Sequence, residues 1–193
     1  MIRRATPDDA PKAIPLILEA IGSIAFVLTG TNDPKDAGVI LDRFFRQEGN
    51  RLSYQNALVL EALDCAAEPN PNVVGIALVY DGSSARALDE PLEKAAKERS
   101  GLSDYQIPTE AEPAEFYLDT VSVDPKRQGR GFGRDLIEAC CEHGRKLGYD
   151  RIGLLVDMEN AGAKRLYGRL GFRVEGTKQI AGYEYFHMVR SLN

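Results

Sequence analysis

Apolar residues at Ile14, Leu16, Ile17, Ala20, Ile21, Ile24 and Leu28 recur at helical spacing and predict a helix opening at Thr6-Pro7-Asp8-Asp9. Thr6 is a capping residue type, Pro7 suits the first helical position, and Asp9 stands three residues beyond the cap, as in a capping box. Pro15 should kink or split this helix. Thr29-Gly30-Thr31-Asn32 ends it, and Asp33-Pro34 opens a second helix through Ile40, Leu41, Phe44 and Phe45. The pattern then shortens. Residues 56–63 and 73–80 are β-rich runs around a turn at Glu68-Pro69-Asn70-Pro71-Asn72, which predicts a β-hairpin.

Residues 82–114 break the rhythm. They are polar, carry Pro91, Pro108 and Pro113, and hold one short helix at 91–99. A connection of this length reads as an inserted loop or lid, or as a variable surface excursion. Periodicity returns at Glu115. Residues 115–123 form a strand with Tyr117, Asp119, Val121 and Val123 on one nominal face, unless a bulge swaps the faces. A basic glycine-rich loop follows, Lys126 to Arg134, and then a helix to about Leu147 with Phe132, Leu136, Cys140, His143 and Leu147 along one stripe. Gly148 breaks that helix. Residues 151–157 are a near-continuous apolar strand, and 160–170 a second amphipathic helix closed by Gly171-Phe172. Strands around 172–175 and 183–189 complete the chain.

Composition narrows the classes. The chain has 193 residues, 44% apolar and 27% charged, which suits one globular domain spanning 1–193. A net charge of −5 argues against a non-specific nucleic-acid binder. No run approaches a membrane span and the N-terminus lacks the apolar stretch of a signal peptide, so a cytoplasmic protein is expected. Three cysteines, Cys65, Cys140 and Cys141, and two histidines offer neither a disulfide framework nor a metal set.

Strand, glycine-rich loop and helix together suit phosphate: the backbone N–H groups point at the anion and the helix dipole adds positive charge. A Walker A loop would need Lys-Ser/Thr after its last glycine, whereas Gly133 precedes Arg134-Asp135. A dinucleotide fingerprint needs Gly-x-Gly-x-x-Gly, and this loop runs Gly129-x-Gly131-x-Gly133. Lys126, Arg127, Arg130 and Arg134 concentrate four cations on one loop of an acidic protein. A solvated basic turn explains the cations but not the alternate glycines.

The pattern Gln128-x-x-Gly131-x-Gly133 after Val123-Asp124-Pro125 resembles the acetyl-CoA pyrophosphate loop of the GNAT N-acetyltransferase superfamily. Asn160-x-x-Ala163-x-x-x-Tyr167 followed by Gly171-Phe172 resembles its second block, and Ile2-Arg3 with Ala5-Thr6-x-x-Asp9-Ala10 its start. The resemblance covers about 115–175. It implies an α/β acyl-CoA N-acyltransferase fold, a central twisted mixed β-sheet flanked by helices, with two strands splayed at the coenzyme A site. It further implies that acetyl-CoA is held by backbone at Val121 and Val123, by the loop Gln128, Gly129, Arg130, Gly131, Phe132, Gly133 and Arg134, and by Asn160. Asn160 is equally an N-cap.

Acetyl transfer to an amine requires a neutral amine, a stabilised oxyanion and a protonated leaving thiolate. The resemblance gives Tyr167 the last role; the plain alternative is a core tyrosine above Ala163. Asp119 is the candidate base, or a binder of the substrate's ammonium. Glu115 is a weaker candidate, and Tyr117 stands where some members carry a glutamate. His143 reads as packing, His187 as marginal, and the cysteines as buried. The expected acceptor is a primary amine of a small molecule or peptide, flanked by Thr29–Asn32 and the 82–114 segment, with a homodimer left open. The competing classes are a non-catalytic acyl-CoA-binding regulator and, less well supported, a nucleoside-triphosphate enzyme.

Overall fold

The computed structural model describes residues 1–62 and 72–193. Its strands are β1 (Ile2–Arg4), β2 (Ala57–Ala62), β3 (Asn72–Asp81), β4 (Phe116–Val123), β5 (Arg151–Asp157), β6 (Arg173–Ile180) and β7 (Tyr183–Ser191). They form one sheet in the order β1-β2-β3-β4-β5-β7-β6. All neighbours are antiparallel except β4 and β5, which run parallel. The helices are α1 (Ala10–Ile21), α2 (Ile24–Thr29), α3 (Pro34–Phe45), α4 (Ala85–Ser100), α5 (Phe132–Lys146) and α6 (Ala161–Arg169).

The apolar runs read from the sequence are buried on both faces of this sheet. Val59, Ile76 and Leu78 pack with Ile17, Leu41, Phe45 and Leu92 on one face. Leu58, Ala77 and Val79 pack with Leu136, Ile137 and Cys140 on the other. Burial on both sides is why β2 and β3 read as continuous rather than alternating. The turn expected at 68–72, the end of the first run at Leu63, and Cys65 fall outside the described residues, apart from Asn72, which opens β3.

Helix starts follow local chemistry. The Asp9 carboxylate accepts the Thr6 N–H at 2.7 Å, and Asp33 accepts the N–H groups of Lys35 and Asp36 to cap α3. Two proline-based expectations are corrected. Pro15 lies inside an unbroken α1, and the break comes at Gly22, with φ +50°, before α2. The segment 82–114 is not mainly loop. Its first half is α4, sixteen residues long with Pro91 inside it, and Leu92 and Ala96 are fully buried. In both helices core packing outweighs the local cost of a proline.

The register of β4 is decisive for the site. Leu78 pairs with Thr120 and Val79 with Leu118, so Asp119 is an extra residue without a partner on β3. This bulge reverses the alternation. Tyr117 packs with Tyr80 and Ala85, whereas Phe116, Leu118, Val121 and Val123 share the face toward α5. Tyr117 and Asp119 therefore do not share a face with Val121 and Val123 as straight alternation predicts. On its other edge β4 pairs with β5 only at Phe116↔Ile152 and Tyr117↔Gly153, after which the two strands diverge. The predicted splay is present.

Candidate active site

A cavity of about 890 Å³ opens along the divergence of β4 and β5. Gln128, Val121, Val123, Asn160, Ala163 and Tyr167 line one end; Arg51, Glu110, Tyr117 and Asp119 line the other. The second group joins Arg51, from before β2, to Glu110 in the segment leading into β4 and to Tyr117 and Asp119 on β4 itself. Arg51 precedes β2 and is held there by its N–H bond to the Leu88 carbonyl at 3.1 Å. Its guanidinium donates to Asp89 on α4 at 3.3 Å, to Glu110 at 3.0 Å, and to Asp119 at the bulge. Tyr117 Oη donates to the second Glu110 oxygen at 3.0 Å.

Three carboxylates thus share one guanidinium that is 2% exposed. Burial alone would lower the Arg51 pKa, yet the surrounding acids hold it well above its ordinary value. Burial raises the Asp119 carboxyl against the pull of Arg51, and Glu110 adds to the rise. Burial likewise pushes Asp89 up to about 6, with Arg51 opposing and Asp119 and Glu110 reinforcing. One cation does not neutralise three anions, so the cluster has room for a proton.

Stability should report this. An Asp89 that holds its proton to about 6 in the fold and to the usual 3.8 when unfolded makes the native state the better proton binder in between. Its contribution to stability falls as pH rises through that window, by on the order of 3 kcal/mol in all. Urea titrations of wild type and Asp89→Asn at about pH 5 and about pH 7.5 should show a wild-type loss that the variant largely lacks. Equal slopes would disprove the assignment.

The opposite end suits a phosphate-bearing thioester. Gly129 and Gly131 have φ of +77° and +86°, which L side chains rarely adopt. The N–H groups of Gly129, Arg130 and Gly131 have no protein acceptor among the described residues. Lys126, Arg130 and Arg134 are exposed around them. Beyond Tyr117 the edge of β4 facing β5 has no strand partner, which leaves backbone groups for an extended ligand to satisfy. Tyr167 lies partly exposed on α6, its ring edge-on to Phe172 at 5.7 Å, and burial pushes its phenol up to about 12, with Cys140 nearby adding to the rise.

The sequence model of the Acetyltransferase (GNAT) family matches residues 39–172. The chain belongs to that family. A mycothiol acetyltransferase of Mycobacteroides abscessus is 32% identical over 119 residues, 62% of this chain and 36% of that protein. One from Clavibacter michiganensis is 28% identical over 160 residues, 81% of this chain and 50% of that protein. The chain thus spans about a third to a half of the length of these curated relatives. A solved acetyltransferase superposes with a TM-score of 0.78 at 31% identity, covering 100% of both chains. An N-acetyltransferase from Staphylococcus aureus Mu50 has the same fold, with a TM-score of 0.76 at 23% identity over 98% of this chain and 99% of that one.

Within this GNAT fold the residues singled out from sequence separate into groups. Val121, Val123, Gln128, Asn160, Tyr167 and Asp119 meet on one cavity. Gly129 to Gly131 form the loop beside it, and Phe132, Gly133 and Arg134 already open α5, with Phe132 packed against the core. Gln128 Nε2 donates to the Val123 carbonyl at 3.1 Å and ties the loop to β4. Asn160 Oδ1 accepts the Ala163 N–H at 2.9 Å, so the capping role is present.

Glu115 is fully buried outside the cavity. Both its oxygens lie 3.1 Å from His187 Nε2, and it packs against Gly153, where a Cβ would approach to 2.2 Å. His187 therefore pairs with Glu115 and does not line the cavity. His143 sits edge-on to Phe116 at 5.7 Å, and Cys140 and Cys141 are buried, with burial raising both thiols. Leu147, expected on the inner stripe of α5, is exposed.

The expected acceptor frame needs correction. Thr29 is buried with its hydroxyl on the Ala25 carbonyl at 2.6 Å, and Gly30 is pressed against Ala96. The 82–114 segment does contribute, through Glu110, and the rest of the wall is made by the α1–α2 junction, Glu19–Ile24, and by the β6–β7 turn with Tyr183 and Tyr185. Sequence reasoning missed this wall, together with Arg51, Asp89 and Glu110. Only Gly182 before Tyr183-Glu184-Tyr185 signalled a turn carrying polar aromatics.

Proposed function

We propose that this protein transfers the acetyl group of acetyl-CoA to a primary amine of a small molecule or peptide by direct attack, without an acyl-enzyme. The observation that carries this reading is one cavity that joins an unpaired strand edge and a glycine loop at one end to a buried proton-accepting cluster at the other. Bound acetyl-CoA would supply an activated carbonyl and a thiolate leaving group. The loop from Gln128 to Arg134 would hold its phosphates, and backbone at Val121 and Val123 its pantetheine arm. The same edge would offer an N–H to the carbonyl oxygen as charge develops there.

Asp119, backed by Arg51, Glu110 and Asp89, would draw the proton from the incoming ammonium. Its raised pKa brings it closer to that of an amine than an ordinary carboxylate would be. Tyr167 remains protonated at neutral pH and would give its proton to the departing sulfur, the proton that the attached nitrogen sheds as the amide forms restoring the phenol. Cys140 is buried with its thiol pushed well above the ordinary range, which suits a packing role.

Calorimetric titration tests the cofactor end. Wild type should bind acetyl-CoA in preference to ATP. Gly131→Asp should lose that binding while keeping its circular dichroism spectrum, since aspartate tolerates positive φ but directs a like charge at the phosphates. Preference for ATP, or acetyl-CoA binding undisturbed by the substitution, would dismiss the reading.

A further inference from the structure

The cavity as a whole is one-sided in charge. Glu19, Glu110, Asp119, Asp157 and Glu159 line the cavity, and Arg51 is its one lining cation among the described residues. Arg51 is already shared by Asp89, Glu110 and Asp119. Glu19 and Glu159 are exposed and form no ion pair among the described residues. Asp157 spends one oxygen on the Glu159 N–H at 2.8 Å. The exposed cations of the glycine loop do not line this space. Positive charge thus stands outside on the glycine loop, and negative charge along the cavity itself.

A further feature points to a cation. At the mouth, Tyr183 is 60% exposed on a turn formed by Ala181 and Gly182, with Tyr185 partly buried behind it. Aromatic faces set among carboxylates favour a desolvated cation over a neutral or anionic group.

Building on the acetyl-transfer reading, we propose that the acceptor is a polyamine: besides the amine that is acetylated it carries a second ammonium group and no carboxylate. The reacting amine takes the Asp119 and Glu110 end. The second ammonium takes the outer carboxylates, Glu19 and Glu159. A monoamine answers only one of these groups, and an amino acid brings a carboxylate against both. The shared chemistry covers linear polyamines and polyamino sugars.

The test measures acetyl transfer by coenzyme A release with putrescine, spermidine and kanamycin against butylamine and γ-aminobutyrate. Calorimetric titration of spermidine into the acetyl-CoA complex accompanies it. Putrescine or spermidine should exceed butylamine in kcat/KM by about ten-fold or more, with γ-aminobutyrate the poorest, and the preference should shrink in high salt. Glu19→Gln combined with Glu159→Gln, both exposed side chains without an ion pair among the described residues, should narrow it through a higher KM for the diamine. Kanamycin ahead of the linear amines would identify the amino-sugar source. Equal use of putrescine and butylamine, preference for γ-aminobutyrate or for a neutral peptide N-terminus, or acetyl-CoA binding with no polyamine turnover would overturn the proposal. Failure to bind acetyl-CoA would instead remove the acetyl-transfer reading beneath it.

Discussion

Arg51→Ala is expected to destabilise the protein by about 3–5 kcal/mol at neutral pH, the usual cost of stripping one partner from a buried ion cluster. The guanidinium is the shared partner of Asp89, Glu110 and Asp119, and removing it leaves three carboxylates without a cation. Two of them, Asp89 and Asp119, are already raised by burial even with Arg51 present. Without it their native pKa values rise further, while those of the unfolded chain stay ordinary. The native state then binds more protons than the unfolded state from about pH 4 upward, so the variant's stability should fall steeply as pH rises toward neutrality. Denaturant titrations at about pH 5 and about pH 7.5 should show a large deficit at the higher pH and a smaller one at the lower. A deficit independent of pH would mean that Arg51 matters for packing rather than charge.

Tyr167→Phe is expected to lower kcat by ten-fold or more, about 1.4 kcal/mol of barrier for each factor of ten. The substitution keeps the ring that packs on Phe172 and removes only a hydroxyl, which makes no hydrogen bond to the described residues. Stability and acetyl-CoA affinity should therefore hardly change, and the loss should lie in kcat rather than KM. With its phenol pushed up to about 12, the wild-type residue stays a proton donor across the working range, so the rate should not fall on the alkaline side on its account. An unchanged kcat would point away from Tyr167 as the acid. A protein that binds acetyl-CoA but acetylates no amine would fit a non-catalytic binder.

The end of the cavity proposed for the cofactor was legible in the sequence because its determinants are local. Gly129 and Gly131 allow a backbone that other residues resist, and Gly171 ends α6 by the same means. Asn160 caps α6 three residues from the N–H it accepts, and the helical period carries Tyr167 to the cavity. The prolines misled for the opposite reason. Pro15 and Pro91 are strong local signals, but α1 buries an apolar face and α4 buries Ala85, Leu92 and Ala96 beside the ion-paired Asp89 and Glu93, and tertiary contacts prevail over propensity.

The acceptor end has no such local cause. The position of Asp119 depends on how β4 pairs with β3, and a one-residue bulge there reverses which side chains share a face. Glu115 and Asp119 look equivalent in the sequence, yet one closes onto His187 beneath Gly153 and the other meets Arg51 in the cavity. Arg51, Asp89, Glu110 and Asp119 lie up to 68 residues apart and meet only once α3, α4 and β4 have packed. By itself the sequence determined the elements from β4 onward, the glycine loop and the place of Tyr167 on α6, because turns, caps and periodicity are set within a few residues. Only the tertiary structure decided which carboxylates gather around the buried guanidinium and what charge the acceptor meets, because burial and strand register are properties of the whole packed sheet.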